Sequence, residues 1–73
     1  MLFMNTDTFR IKGDYIKLNQ LLKLLGWCVS GAEANTLIDQ GLVRVNGMVE
    51  TRRRNKIIPS FKVEYGQHAV TIE

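Results

Sequence analysis

Leucines recur at helical spacing early in the chain. Four of them occupy positions i, i+3, i+4 and i+7 of one stretch: Leu18, Leu21, Leu22 and Leu25. This spacing places all four side chains on one stripe of a helix and predicts a first helix over about residues 17–25. Asp14 or Asn19 is the candidate N-cap, and Gly26 suits the left-handed position that ends a helix.

A second helix is predicted over about residues 31–40. Ser30 and Glu33 have the spacing of a capping box, in which each side chain accepts a backbone N–H at the helix start. The apolar residues that follow keep helical spacing: Ala34, Leu37 and Ile38. Gly41 stands where a C-terminal cap is expected. Only residues 26–29 separate the two helices, so they should pack as a helical hairpin.

After Gly41 the pattern changes from helical to alternating. Val43 and Val45 flank Arg44, which predicts a strand with the valines inward and the arginine outward. Asn46-Gly47 is the preferred pair for a type I′ turn, so residues 48–50 should return antiparallel.

Two further segments alternate near the C-terminus, residues 61–65 and 68–72, with Gly66-Gln67 between them. They predict a second hairpin. Residues 51–55 are read as a polar, basic loop and residues 56–59 as a short edge segment that ends in proline, and Thr8–Lys12 is a candidate edge strand. The expected fold is α+β, with a helical hairpin packed on a small antiparallel sheet.

Size and composition restrict the class of protein. The chain has 73 residues, of which 45% are hydrophobic, so we expect a single folded domain over residues 1–73. One cysteine, Cys28, and one histidine, His68, exclude an internal disulfide and a four-ligand Cys/His zinc cluster. The apolar start Met1–Met4 is too short for a signal peptide or a membrane span. A cytoplasmic monomer without metal or cofactor is expected.

Positive charge is concentrated in one stretch. The net charge is +3, yet residues 44–56 hold five cationic side chains against one carboxylate, a local charge of +4. The cations are Arg44, Arg52, Arg53, Arg54 and Lys56. Such a cluster suits an anionic partner, because guanidinium groups bind phosphate bidentately and stack on exposed bases. An isolated basic triplet is also compatible with a solvated loop.

Catalysis is not indicated. The chain has no nucleophile elbow, no phosphate-cradling glycine-rich loop and no paired acid motif at usable spacing. Asp14, Glu33 and Asp39 are read as helix-end or surface carboxylates. We therefore expect a binding protein rather than an enzyme.

The chain resembles the S4 RNA-binding motif over about residues 17–50. The matching positions are Lys17–Leu22, Leu25-Gly26, Ser30, Glu33-Ala34, Leu37-Ile38, Gly41 and Val43–Gly47. It is also similar to small stand-alone bacterial S4-like proteins of the YbcJ/YaaA type. That likeness covers most of the chain, through Gly26-Trp27, Ser30–Ala32, Val49–Arg52, Arg54 and Lys56-Ile57.

The resemblance implies that RNA lies along the second helix, the start of the first helix and the first hairpin. The candidate RNA-binding residues are Lys17, Asn35, Arg44, Asn46, Arg52, Arg53, Arg54 and Lys56. Gly31 and Asn35 stand where many S4 domains have arginines, and the Arg52–Arg54 run could compensate for them. Structured RNA, including ribosomal RNA, is the expected ligand.

Several alternatives stay open. The basic loop could instead dock an acidic protein partner, since charge alone does not separate the two readings. Trp27 could stack on a base, although a core position is favoured, and Tyr15 is a weaker candidate for stacking. Cys28 is interpreted as a packing residue and His68 as a surface polar residue. Asn46 is explained by its turn, with RNA contact as a second role.

Overall fold

A computed structural model describes residues 5–73. The interpretation of Met1–Met4 as neither a signal peptide nor a membrane span lies outside these residues. In chain order the elements are β1 (Asn5–Phe9), β2 (Ile16–Lys17), α1 (Leu18–Leu24), α2 (Gly31–Asp39), β3 (Val43–Val45), β4 (Met48–Val49), β5 (Lys56–Ile57), β6 (Lys62–Tyr65) and β7 (His68–Ile72).

The strands form two sheets. Five of them pair in the order β1-β7-β6-β3-β4, and β2 and β5 form a separate two-stranded ladder. The larger sheet is antiparallel except at its edge, where β1 runs parallel to β7, so the sheet is mixed. Helices α1 and α2 pack together, and their buried side chains share one core with the sheet. The α+β fold with a helical hairpin on a small sheet is confirmed.

Local capping signals place α2 as predicted. The Ser30 hydroxyl accepts a hydrogen bond from the Glu33 backbone N–H at 3.1 Å. The Glu33 carboxylate accepts one from the Val29 N–H at 3.1 Å, one residue before the Ser30 N–H of a standard capping box. Gly41 has φ of +74° just beyond the helix, where the left-handed region favours glycine.

The predicted N-caps of α1, Asp14 and Asn19, are wrong, whereas Gly26 follows the helix with φ of 76°, as predicted. The N-cap is Lys17, and it makes no side-chain capping bond. The backbone carbonyls of a distant loop accept the free N–H groups instead: Leu18 N–H donates to Asn55 at 2.9 Å and Asn19 N–H donates to Arg53 at 3.0 Å. Because backbone oxygens satisfy these donors, α1 starts without an Asp or Asn cap.

Both predicted hairpins are present. Asn46 and Gly47 have φ of 53° and 84°, as a type I′ turn requires, and β6 pairs with β7 around residues 66–67.

The edge strand predicted over Thr8–Lys12 is present but shifted toward the N-terminus, since β1 covers Asn5–Phe9. Beyond it, Ile11 N–H donates to the Glu73 carbonyl at 2.9 Å. This bond holds the chain beside the C-terminal residue after the strand ends.

The core lies between the helices and the inner face of the sheet. The largest fully buried side chains are Leu18, Leu21, Leu22, Ile38, Ile57, Ile72, Val43, Val63 and Val70. Trp27 packs against this core, and its ring stacks on His68 with centroids 5.4 Å apart.

Cys28 is buried, as expected of a packing residue, and burial raises the pKa of its thiol. The thiol therefore stays protonated at neutral pH.

Candidate nucleic-acid interface

The basic loop, residues 51–56, is docked on the first turn of α1. Its carbonyls at Arg53 and Asn55 accept the hydrogen bonds that start the helix. Its last residue, Lys56, begins β5, which pairs with β2 immediately before α1. The fold thereby brings the basic loop to Lys17, a residue far from it in sequence.

Arg52 is held by Glu50. The guanidinium Nε lies 2.9 Å from Oε2 and Nη2 lies 3.0 Å from Oε1, a bidentate ion pair. The same carboxylate accepts hydrogen bonds from the Arg52 backbone N–H and from the Asn55 amide. The Arg52 guanidinium holds the pKa of Glu50 below its usual range. Much of the Arg52 charge is therefore compensated within the loop.

Arg53 is held by Asp39, the last residue of α2. Its Nε lies 3.0 Å from Oδ1, and Nη2 contacts the other carboxylate oxygen. The hydrogen bond from Arg53 lowers the pKa of Asp39, and the carboxylate raises the pKa of Arg53. This pair fastens the basic loop to the second helix and compensates a second positive charge.

Lys17 and Lys56 face each other. They are direct partners in the antiparallel β2–β5 ladder, and both side chains are exposed. The Lys56 ammonium lies over the Tyr15 ring, 4.8 Å from its centroid. Opposed residues on one face of an antiparallel pair have Cβ atoms about 4.5–5.5 Å apart, and like charges there repel. The ladder therefore concentrates positive charge at one point.

Arg54 extends this positive surface. It is exposed, and within residues 5–73 it forms no ion pair. With Arg52, Asn55 and Lys56 it lines a shallow cavity of about 420 Å³. We call Lys17, Arg54 and Lys56 the cationic surface.

The other candidate residues have different surroundings. Arg44 is exposed between two buried valines, so it points away from the helices, and its register partners are Val49 and Glu64. The structure thus places Arg44 on the outer face of the sheet. Its role in RNA binding stays a prediction.

The two candidate asparagines make internal hydrogen bonds. Asn35 Oδ1 accepts from Asn19 Nδ2 at 3.1 Å, which joins α2 to α1. Asn46 Oδ1 accepts from the Lys62 backbone N–H at 3.0 Å, which fixes the turn against β6. Each side chain thus has a structural role, and RNA contact by either residue stays a prediction.

Sequence patterns alone did not reveal the opposed lysines. Strands β2 and β5 have two residues each, too short for an alternating pattern to be recognised. The only local signal is an apolar residue beside a lysine in each segment, Ile16-Lys17 and Lys56-Ile57. Their pairing depends on the tertiary fold.

Metal sites and membrane-spanning helices were also considered over the described residues. Among residues 5–73, no group of three or more His, Cys, Asp or Glu side chains is placed to hold a metal ion. Neither helix in that range has the length and apolar character needed to cross a membrane.

Comparison with known proteins gives a family and a fold match. The model of the S4 domain matches residues 9–73. The "Putative RNA-binding protein YbcJ" of Escherichia coli strain K12 is 44% identical over 61 residues, which cover 84% of this chain and 87% of that protein. The uncharacterized protein YbcJ of Shigella flexneri matches with the same identity and coverage.

A solved structure agrees with this match. The solution structure of Escherichia coli YbcJ, described as revealing an αL motif involved in RNA binding, superposes with a TM-score of 0.66. The sequence identity is 42%, and the match covers 99% of this chain and 90% of that one. By its sequence and its fold, this chain belongs to the S4 domain family.

Proposed function

We propose that this chain binds structured RNA through the cationic surface and catalyses no reaction. The S4 family membership supports the proposal, as do the RNA-binding descriptions of the YbcJ protein and its structure. The positive net charge and its concentration beside α1 point to the same class of ligand.

The observation that carries this proposal is the opposed pair Lys17 and Lys56. Both side chains are exposed, and like charges directly opposite each other in an antiparallel pair repel and destabilise it. A phosphate placed between them would convert that repulsion into two attractive contacts. The Lys56 contact with the Tyr15 ring favours the fold, whereas the opposition of two like charges does not, and an anionic ligand would offset that opposition.

The paired arginines support the surface indirectly. Arg52 and Arg53 each bind a carboxylate, and these bonds fix the path of the basic loop. The fixed loop in turn presents Lys56 opposite Lys17, and Arg54 lines a shallow cavity with Lys56. We therefore assign the main phosphate contacts to the cationic surface and a positioning role to Arg52 and Arg53.

A structured RNA fits this surface better than a specific base sequence. Phosphate contacts position a protein on a nucleic acid without reading its sequence. Single domains that recognise RNA through backbone contacts respond to the shape of a helix or junction. Ribosomal RNA fragments, and hence the ribosome, are the first ligands to examine.

Binding without catalysis agrees with the state of the carboxylates near the surface. Glu50 and Asp39 are each held by an arginine, which lowers the pKa of both groups. An ionised carboxylate in a bidentate ion pair is a poor general base, because its pKa lies far below neutral pH.

Fluorescence anisotropy with labelled RNA tests the proposal. The ligands are a structured ribosomal RNA fragment, a single strand and a DNA duplex, each titrated at two salt concentrations. We expect the structured RNA to bind most tightly, with affinity falling as salt rises. Lys56→Ala should weaken binding about fivefold or more, the effect of losing roughly 1 kcal/mol.

The matched control is Lys62→Ala. Lys62 is an exposed lysine on β6 of the five-stranded sheet, where it is paired with Thr71, and it does not line the cavity of Arg54 and Lys56, so its replacement removes the same charge from a different element. Equal losses in both variants would reduce the effect to net charge and contradict the proposed site. No binding to any of the three nucleic acids would contradict RNA binding and favour an acidic protein partner.

A further inference from the structure

A cleft lies beside the cationic surface, between the segment after β1 and the exposed face of α1. Its volume is about 540 Å³, which falls within the roughly 300–1,000 Å³ typical of small-ligand sites. Phe9 and Ile11 line one wall, and Gln20 and Leu24 of α1 line the other. The bond from Ile11 N–H to the Glu73 carbonyl fixes the first wall in place.

The helix wall is a face that the core does not use. Gln20 and Leu24 stand at i and i+4, so they are neighbours on the surface of α1. Leu24 is 57% exposed, whereas the leucines on the other face of the helix are fully buried. The cleft thus offers an apolar wall with one amide group, which has both donors and an acceptor.

The rim of the cleft is positively charged. Arg10 and Lys12 belong to its lining, and no acidic residue does. The Arg10 side chain is 84% exposed, with one ion-pair distance of 3.9 Å to Glu73. An apolar cavity with cations at its edge suits a ligand that joins a flat apolar group to an anion.

Tyr15 connects this cleft to the cationic surface. Its side chain lines the cleft, and its ring also lies under the Lys56 ammonium at 4.8 Å. A nucleic acid strand held at Lys17 and Lys56 would therefore pass directly beside the cleft. The two features form one continuous surface through a single aromatic ring.

We propose that the cleft receives the base of one unpaired nucleotide of the bound RNA. Tyr15, Ile11 and Leu24 would contact the base, the Gln20 amide would hydrogen-bond its edge, and Lys12 would contact an adjacent phosphate. The proposal rests on the RNA binding proposed above and specifies the kind of RNA that binds best. A helix with a bulged or flanking unpaired nucleotide would engage both parts of the surface.

An abasic comparison tests this site. Three labelled hairpins share one stem: fully paired, with one bulged nucleotide, and with an abasic bulge that keeps the phosphate. Anisotropy titrations should give at least about fivefold tighter binding of the bulged nucleotide than of the abasic bulge, the lower range of one base-stacking contact. The fully paired stem should bind about as well as the abasic form.

The variant Gln20→Ala with Leu24→Ala removes the helix wall of the cleft. Both residues are exposed on α1 and alanine favours helix, so the fold should be retained. The preference for the base should fall to within about twofold, while affinity for the fully paired stem is unchanged. The matched control is Leu42→Ala, an exposed leucine outside the cleft, which should keep the preference.

A second measurement uses the unmodified protein. Addition of the bulged hairpin should shift the NMR signals of the Gln20 side-chain amide and of the Ile11 methyl groups, and the abasic hairpin should shift them much less. Equal shifts with both hairpins would overturn the proposal even if the double variant failed to fold.

The outcomes separate this site from RNA binding itself. Equal, salt-dependent binding of all three hairpins by the wild type would overturn the base site and leave the RNA-binding proposal intact. A base preference that survives in the double variant would place the base elsewhere. No binding of any hairpin would overturn both proposals.

Discussion

Charged side chains near α1 are of two kinds. Arg52 and Arg53 are each matched by a carboxylate, whereas Lys17 faces Lys56. The first kind ties the basic loop to neighbouring carboxylates, and the second kind opposes like charges that, on our proposal, a phosphate would bridge. Residues of the same charge in this stretch thus have different surroundings, and substitutions should show whether they also have different functions.

Lys17→Ala should weaken RNA binding without lowering stability. The substitution removes one of two opposed charges, so thermal unfolding followed by circular dichroism should show an unchanged or slightly raised Tm. RNA affinity should fall about fivefold or more. Lys62→Ala serves as the control for net charge, and a clear drop in Tm for Lys17→Ala alone would show that the repulsion is absent.

Arg54→Ala and Arg53→Ala should differ in their effects. Arg54 forms no ion pair within residues 5–73, so its loss should reduce RNA affinity and leave the denaturation midpoint unchanged. Arg53 fastens the basic loop to Asp39, so its loss should lower the midpoint slightly as well as the affinity. Urea titrations of both variants measure this, and identical midpoints would argue against an anchoring role for Arg53.

The arginine triplet is evident in the sequence, but which of its arginines form ion pairs within the protein could not be predicted. Arg53 and Asp39 are separated by 14 positions, and nothing local indicates that they pair. Lys17 and Lys56 are still farther apart in the chain. Such pairs follow from how the helices and the basic loop pack, which single-residue patterns do not encode.

Elements with strong local signals were predicted well. Ser30 with Glu33 and Asn46 with Gly47 act within a few residues, so sequence spacing alone indicates the start of α2 and the first hairpin. The start of α1 was predicted to within one residue, but its N-cap was missed because its N–H groups bond to carbonyls of the basic loop. The β2–β5 ladder was missed because each strand has two residues.

Ser30→Ala should destabilise the protein through α2. Loss of the capping hydroxyl leaves the Glu33 N–H without its partner and should cost about 1 kcal/mol of unfolding free energy, measured by urea denaturation. RNA affinity should stay within about twofold of wild type, because Ser30 lies at the end of α2 away from Asp39 and the basic loop. A large loss of affinity would extend the binding surface to that end of the helix.

The two arginine pairs should make stability depend on acid pH. The pKa values of Asp39 and Glu50 are lowered in the folded protein by hydrogen bonds from Arg53 and Arg52. Their contribution is fully present above the ordinary carboxyl pKa near ~4 and is lost as pH falls through the lowered values. Thermal unfolding between neutral pH and pH ~3 should show a declining Tm.

The matched variant replaces Asp39 by Asn and Glu50 by Gln. Its Tm should decline less than that of wild type over the same acid range, because the groups that titrate have been removed. An identical decline in both proteins would assign the acid sensitivity to other carboxylates.

The molecule as a whole has a small excess of positive charge, and part of it lies in the basic loop beside α1. A net charge of +3 predicts modest electrostatic attraction, yet the fold brings Lys56 of the basic loop opposite Lys17 at the start of α1. The adjoining cleft adds an apolar site on the same side through Tyr15. Specific binding should therefore combine a salt-sensitive part from phosphate contacts with a largely salt-insensitive part from the base contacts in the cleft.

Salt dependence of RNA affinity tests the cationic surface most directly. On the fully paired hairpin, which leaves the cleft empty, the three contacts of the cationic surface at roughly 0.7–0.9 each should give a slope of about −2 to −3 in a plot of log affinity against log salt. The double variant that carries Lys17→Ala and Lys56→Ala keeps only the Arg54 contact, so its slope should be about −1. An unchanged slope in the double variant would show that these lysines do not contact phosphate and would contradict the proposed interface.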